Sequence, residues 1–152
     1  MSIGRPTDAG DARFWLDYAT YAEAEAAGAL LIRQDVRLLE HLVKLGVDGA
    51  LRLIDAGLLD VRRLDHLLCH YSSHHFRSRI FDMLEMCGAG VPYEKWFTNL
   101  YTKGNTGCAS IMIMLDDFLR EGRAAPGETV LCMVPESGHF NVAYIHMTVV
   151  EA

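Results

Sequence analysis

Apolar positions along this chain recur at two spacings, and the changes between them lay out the elements. Leu39, Leu42, Val43, Val47, Ala50, Leu51 and Ile54 share one face at helical spacing, with Asp35 ahead as N-cap and Gly57 as stop. Gly46 and Gly49 lie inside that helix, where glycine costs about 1 kcal/mol against alanine, so they predict close packing against a neighbour. Leu64–Cys69 is a short apolar run interrupted by Asp65 and His66, read as a strand, with His70-Tyr71-Ser72-Ser73 as its carboxyl end and turn. Ser72 or Ser73 then caps a second helix with a buried stripe of Phe76, Ile80, Met83, Leu84 and Cys87, ended by Gly88. The stretch from Pro92 to Tyr101, with Trp96, Phe97 and Leu100, predicts a strand leading into the turn Gly104-Asn105-Thr106-Gly107. Ile111–Leu115, Phe118 and Leu119 follow that turn, and a helix apolar all round is a buried one. This predicts an Asn105 side chain held inside the protein. Pro126-Gly127 is a turn, Thr129–Val134 a strand and Pro135–His139 a loop. Phe140–Val150, apolar on both faces, reads as a closing strand interior to its sheet.

Ahead of these, residues 1–12 carry no periodicity and read as a loose arm. Phe14–Ala27 is helix-prone, with Gly28 as its end, and Ala29–Arg33 is either an edge strand or a lead-in to the next helix. The order helix, strand, helix, strand, helix, strand, strand is α/β, closing in an antiparallel hairpin. We divide the chain into an N-terminal arm and helix, 1–28, and one domain, 29–152.

Composition narrows the partners. At 152 residues, with 51% hydrophobic and 22% charged positions, the chain can bury a core as a single domain. Its net charge of −6 argues against a nucleic-acid binder, which needs clustered Lys and Arg. No apolar run approaches the roughly 20 residues of a membrane helix. Cys69, Cys87, Cys108 and Cys132 are widely spaced, and Met1–Ala12 lacks the apolar core of a signal peptide, so reduced thiols and a cytoplasmic location are expected.

In α/β proteins ligands gather at the carboxyl ends of strands. Three segments end there in this reading: His70, Asn105, and Ser137-Gly138-His139. A neutral imidazole and a side-chain amide can both donate hydrogen bonds to one oxygen and so stabilise an oxyanion. The same residues also suit a satisfied core histidine and a turn asparagine, and spacing leaves both open. Cys69, His70, His74 and His75 invite a zinc reading, but zinc needs four ligands, or three and water. With no carboxylate or second cysteine nearby at ligand spacing, neither a metal nor another cofactor is expected. Cys108 sits just inside a helix N-terminus, where a thiol pKa falls, yet a buried helix implies an inert thiol.

Cys69-His70-Tyr71-Ser72-Ser73, Gly104-Asn105-Thr106-Gly107-Cys108-Ala109-Ser110, Leu115-Asp116-Asp117, Gly122-Arg123 and Pro126-Gly127-Glu128 together resemble the C-terminal half of ketoacyl-ACP synthase III, from roughly Leu30 to Val150. Cys69 and Tyr71 stand where that family usually shows Pro and Gln, and Pro135–Phe140 replaces its glycine-rich loop. The resemblance implies one half of a thiolase-like fold, a mixed sheet flanked by helices with a C-terminal antiparallel hairpin. It implies His70 and Asn105 as catalytic donors in a decarboxylative condensation of fatty acid or polyketide assembly, with the cysteine nucleophile in a missing N-terminal half. Gly104, Thr106, Ser137, Gly138 and Phe140 would contact substrate. His75, Arg77 and Arg79 would meet the carrier, although His75 stands where arginine is common. The implied partners are an N-terminal synthase half or a second copy of this chain, and an acyl carrier protein or coenzyme A thioester. A non-catalytic pairing subunit and an acyltransferase without decarboxylation are the alternatives.

Overall fold

A four-stranded mixed sheet in the order β2-β1-β3-β4 divides the protein into two unequal layers. The computed structural model describes residues 15–30, 39–136 and 141–151. The predicted arm, Leu31–Arg33, the Asp35 cap and the Ser137–Phe140 loop lie outside them. A short helix, α1 (Tyr21–Ala26), is capped by Thr20, whose hydroxyl accepts from the Glu23 amide at 3.2 Å. Then come α2 (Leu39–Asp55), β1 (His66–Cys69), α3 (His75–Met86), β2 (Trp96–Phe97), α4 (Leu100–Lys103), α5 (Ser110–Arg120), β3 (Thr129–Glu136) and β4 (Asn141–Thr148). β1 runs parallel to β2 and β3, while β3 and β4 form the expected antiparallel hairpin. Among the described residues no helix is long and apolar enough to cross a membrane.

Strand alternation sorts side chains to the two faces. Leu67, Cys69, Leu131 and Met133 pack under α2 and α3 with Val47, Ile80, Leu84 and Trp96. Leu68, Val130 and Cys132 face the other way, against Ile111, Met114 and Phe118 of α5. The two glycines of α2 are explained by the β3–β4 hairpin, with Met133 of β3 against Gly46 and Tyr144 of β4 against Gly49. A Cβ at Gly49 would stand 3.0 Å from Tyr144 Cε2, and one at Gly46 would stand 2.5 Å from Met133 Cε. The Tyr144 hydroxyl donates to the Gly46 carbonyl, pinning the ring against the helix.

Five expectations are corrected. The Pro92–Tyr101 strand shrinks to Trp96–Phe97, between a 3-10 turn at Tyr93–Lys95 and the single turn of α4. Its continuation is broken locally, since the Thr98 hydroxyl accepts from the Leu100 amide at 3.3 Å. α5 is buried on one face only: Met112 is 59% and Leu119 51% exposed, because just one side of the helix meets the sheet. Among the described residues β4 is an edge strand, not an interior one, since the strand order leaves it last. Pro135 belongs to β3 and pairs with Val142, beyond the end of β1, where among the described residues β4 alone lies alongside. Cys87 lies outside the buried stripe of α3 and is exposed at its C-terminal end.

Candidate active site

β1 delivers His70 to the sheet rim. The His70 amide donates to the Met133 carbonyl at 2.9 Å, extending the strand ladder by one residue. The residue is 5% exposed. As strand alternation requires, Cys69 points the opposite way, into the α2–α3 layer. There burial alone pushes its thiol up to about 12.

The chain reverses immediately after His70. Ser72 adopts φ 55, a left-handed conformation that non-glycine residues rarely take and that gathers at functional sites. The reversal carries the Ser72 hydroxyl back to within 3.4 Å of His70 Nε2. Neither Ser72 nor Ser73 is the N-cap of α3. His74 holds that position, and the Ser73 hydroxyl accepts from the His75 amide at 3.4 Å.

The second segment approaches from β2. α4 makes one turn, and Gly104 breaks it at φ 69. Asn105 follows, and its Oδ1 accepts from the Gly107 amide at 2.9 Å. That bond commits the oxygen and leaves the Nδ2 end as a donor. The turn is closed by Ser110, a buried residue that opens α5: its hydroxyl takes the Thr106 amide at 2.9 Å and bonds the Thr106 hydroxyl at 2.9 Å.

His70 and Gly104 border one narrow crevice, shared with Thr98, Asn99, Ser110 and Met114. The structure thus brings His70 next to the turn that carries Asn105. It corrects the burial of that turn, since residues 104–109, Asn105 and Cys108 included, are exposed. The helix that follows is covered on one side only, so nothing in the described residues encloses them. Of the basic residues, His75 and Arg79 are exposed on α3. Arg77 is half-buried, with its guanidinium 4.5 Å above the Tyr93 ring. Ser137, Gly138 and Phe140 lie outside the described residues. Among the described residues no group of three or more His, Cys, Asp or Glu side chains is placed to hold a metal.

Ser72, Asn99, Ser110 and Asp117 were given no role at the site from the sequence, although all but Asn99 stand in the motifs that carry the resemblance. Ser110 had a local signal, a hydroxyl four residues beyond Thr106 at a helix start. The pairing of Asn99 with Asp117 had none, since their side chains meet only through folding, Nδ2 donating to Oδ2 at 2.6 Å.

Residues 55–145 match the model of the family described as 3-Oxoacyl-[acyl-carrier-protein (ACP)] synthase III C terminal. The beta-ketoacyl-[acyl-carrier-protein] synthase III of Trichodesmium erythraeum (strain IMS101) is 33% identical over 72 residues, 47% of this chain and 20% of that protein. Its counterpart in Rhodopirellula baltica is 37% identical over 86 residues, 54% of this chain and 25% of that protein. The crystal structure of 3-oxoacyl-(acyl carrier protein) synthase III from Pseudomonas aeruginosa PAO1 superposes with a TM-score of 0.66 at 22% identity. It covers 78% of this chain and 36% of its own, and shows the shared thiolase-like fold. The chain spans a quarter or less of the length of these two curated relatives. With more than half of its residues inside the family model, the chain belongs to the 3-oxoacyl-ACP synthase III C-terminal family.

Proposed function

We propose that this chain acts as the C-terminal catalytic half of a synthase-III-type condensing enzyme. His70 and Asn105 would serve as the two donors to a malonyl thioester carbonyl oxygen. As the C–C bond to the carboxylate breaks and carbon dioxide leaves, the electron pair moves into the thioester and an enolate oxygen forms. The imidazole N–H and the Asn105 Nδ2–H hold that charge, preorganised donors being worth most where charge develops. The enolate carbon then attacks an acyl-cysteine thioester, and the cysteine thiolate departs. That cysteine comes from a partner, an N-terminal synthase half. A second copy of this chain, docked on the exposed side of α5 that includes Met112 and Leu119, is the alternative partner. Gly104 and Thr106 flank the reacting carbonyl, and Ser137, Gly138 and Phe140 complete the acyl side. His75, Arg77 and Arg79 on α3 receive an acyl carrier protein or coenzyme A thioester.

The observation that carries this reading is the crevice bordered by both His70 and Gly104, where two neighbouring parallel strands end. The Gly107 bond to Asn105 Oδ1 adds to it by leaving the donor end of the amide available.

The test is malonyl-dependent carbon dioxide release with the cysteine-bearing half present. His70→Ala and Asn105→Ala should each lower the rate on the order of 100-fold or more, the usual cost of losing one oxyanion donor. Unchanged rates in both variants would make the chain a pairing subunit. Acyl transfer without carbon dioxide release would make it a transferase of a different kind.

A further inference from the structure

α4 is a single turn between β2 and the Gly104–Thr106 turn. A helix that short is not stable by itself, since nucleation fixes several residues for one hydrogen bond. Its ends are nonetheless tied to one residue of α5. Asn99, at the N-cap position of α4, makes no side-chain cap. Its Nδ2 instead donates to Asp117 Oδ2 at 2.6 Å, the length of a charge-assisted bond. Lys103, the last residue of α4, places its ammonium 3.8 Å from Asp117 Oδ1. The Asp117 side chain is only 20% exposed. One carboxylate therefore holds both ends of the segment that delivers Gly104 and Asn105, and it projects from the same helix whose first residue, Ser110, closes the turn from the other side.

We infer that Asp117 is a positioning residue for Asn105. It fixes where the amide sits without touching substrate, by clamping α4 onto α5. This rests on the role proposed above for Asn105, but the clamp can be read without any turnover. Asp117 lies one turn below the crevice wall made by Met114 on α5, so it can act on the turn only through Asn99 and Lys103.

Amide hydrogen exchange of the Thr106 and Gly107 N–H groups in the full chain reads the clamp directly, since these are the bonds that define the turn. Asp117→Ala should speed both at least tenfold, the scale of one charge-assisted bond, while the β1 and β3 amides keep their protection. The reciprocal swap Asn99→Asp with Asp117→Asn restores a carboxylate–amide bond with its polarity reversed. It also places the carboxylate four residues before Lys103, within reach on one helix face. The swap should recover slow exchange at Thr106 and Gly107. In the enzyme assembled with its cysteine-bearing half, Asp117→Ala should lower kcat on the order of tenfold to 100-fold with little change in KM, and the swap should return most of it.

Unaltered Thr106 and Gly107 exchange in Asp117→Ala, or equal loss of protection across the sheet, would overturn the inference. So would a swap that folds with native sheet protection yet leaves the turn loose. If Asp117→Ala does not fold, the swap and Asp117→Asn decide the matter by the same amides. An assembled wild-type enzyme that releases no carbon dioxide would instead count against the function of Asn105 and leave the exchange result standing.

Discussion

Replacing Gly49 with alanine sets helix propensity against packing, and the structure decides the sign. In a helix interior alanine is favoured over glycine by about 1 kcal/mol, so from α2 alone the substitution should stabilise. The added Cβ would meet Tyr144 Cε2 and Oη at 3.0 Å and Cζ at 3.4 Å. The ring cannot swing aside cheaply, because its hydroxyl donates to the Gly46 carbonyl one turn earlier on the same helix. Overpacking of this kind costs about 1–3 kcal/mol, leaving a net loss of about 1 kcal/mol once propensity is offset. Urea unfolding of the full chain should show a lower midpoint with an unchanged slope. In a Tyr144→Leu background, where the ring is gone, the same substitution should raise the midpoint. The double-mutant cycle should then give a coupling of about 2 kcal/mol. A stabilising Gly49→Ala in the native background, or a coupling near zero, would refute the claim that this ring is what the glycine accommodates.

Thiol reagent at pH 8 should modify exposed Cys87 and Cys108 quickly, and Cys69 and Cys132 only on unfolding, as counted by a chromogenic disulfide. Burial pushes the Cys69 and Cys132 thiols up to about 12 and about 11. The unfolded chain therefore loses protons first above about pH 9, and stability should fall as pH rises from there through the folded values, by about 1.4 kcal/mol per unit for each thiol. Cys132→Ala should flatten that alkaline slope in denaturant titrations. At the acid end, the Thr129 amide and hydroxyl donate to Asp65 at 2.8 and 3.0 Å and hold its carboxyl below the usual range. That contribution is present above the ordinary carboxylate pKa and is lost as pH falls through the lowered one, so Asp65→Asn should weaken the protein at neutral pH and make its acid unfolding less steep. Sedimentation should find self-associated chains at micromolar concentration, and Met112→Lys with Leu119→Lys should return them to monomers. A wild-type monomer under those conditions would remove the apolar side of α5 as a pairing surface.

Much of the site was legible because its signals are local. A strand end at His70 follows from an apolar run closed by a polar turn, and the Gly-Asn-Thr-Gly turn carries its own chemistry, Asn105 bonding an amide two residues on. The spacing of Gly46 and Gly49 even announced a close neighbour, although only the fold identified Met133 beside Gly46 and Tyr144 beside Gly49, both far away in the chain. The left-handed Ser72 was not legible, because a serine says nothing about the sign of its own φ.

Sequence periodicity by itself located the helices α2, α3 and α5 and the strands β1 and β3, and showed that the chain closes in a hairpin, since those properties depend on neighbours within a few residues. Tertiary structure alone decided that β4 lies at an edge, that α5 covers its sheet with one side and leaves Met112 and Leu119 outside, and that Asp117 reaches Asn99. An apolar stripe records that a surface is to be covered, not what covers it. Strand order and side-chain clamps join residues far apart in the chain, and those pairings are set by how the elements pack.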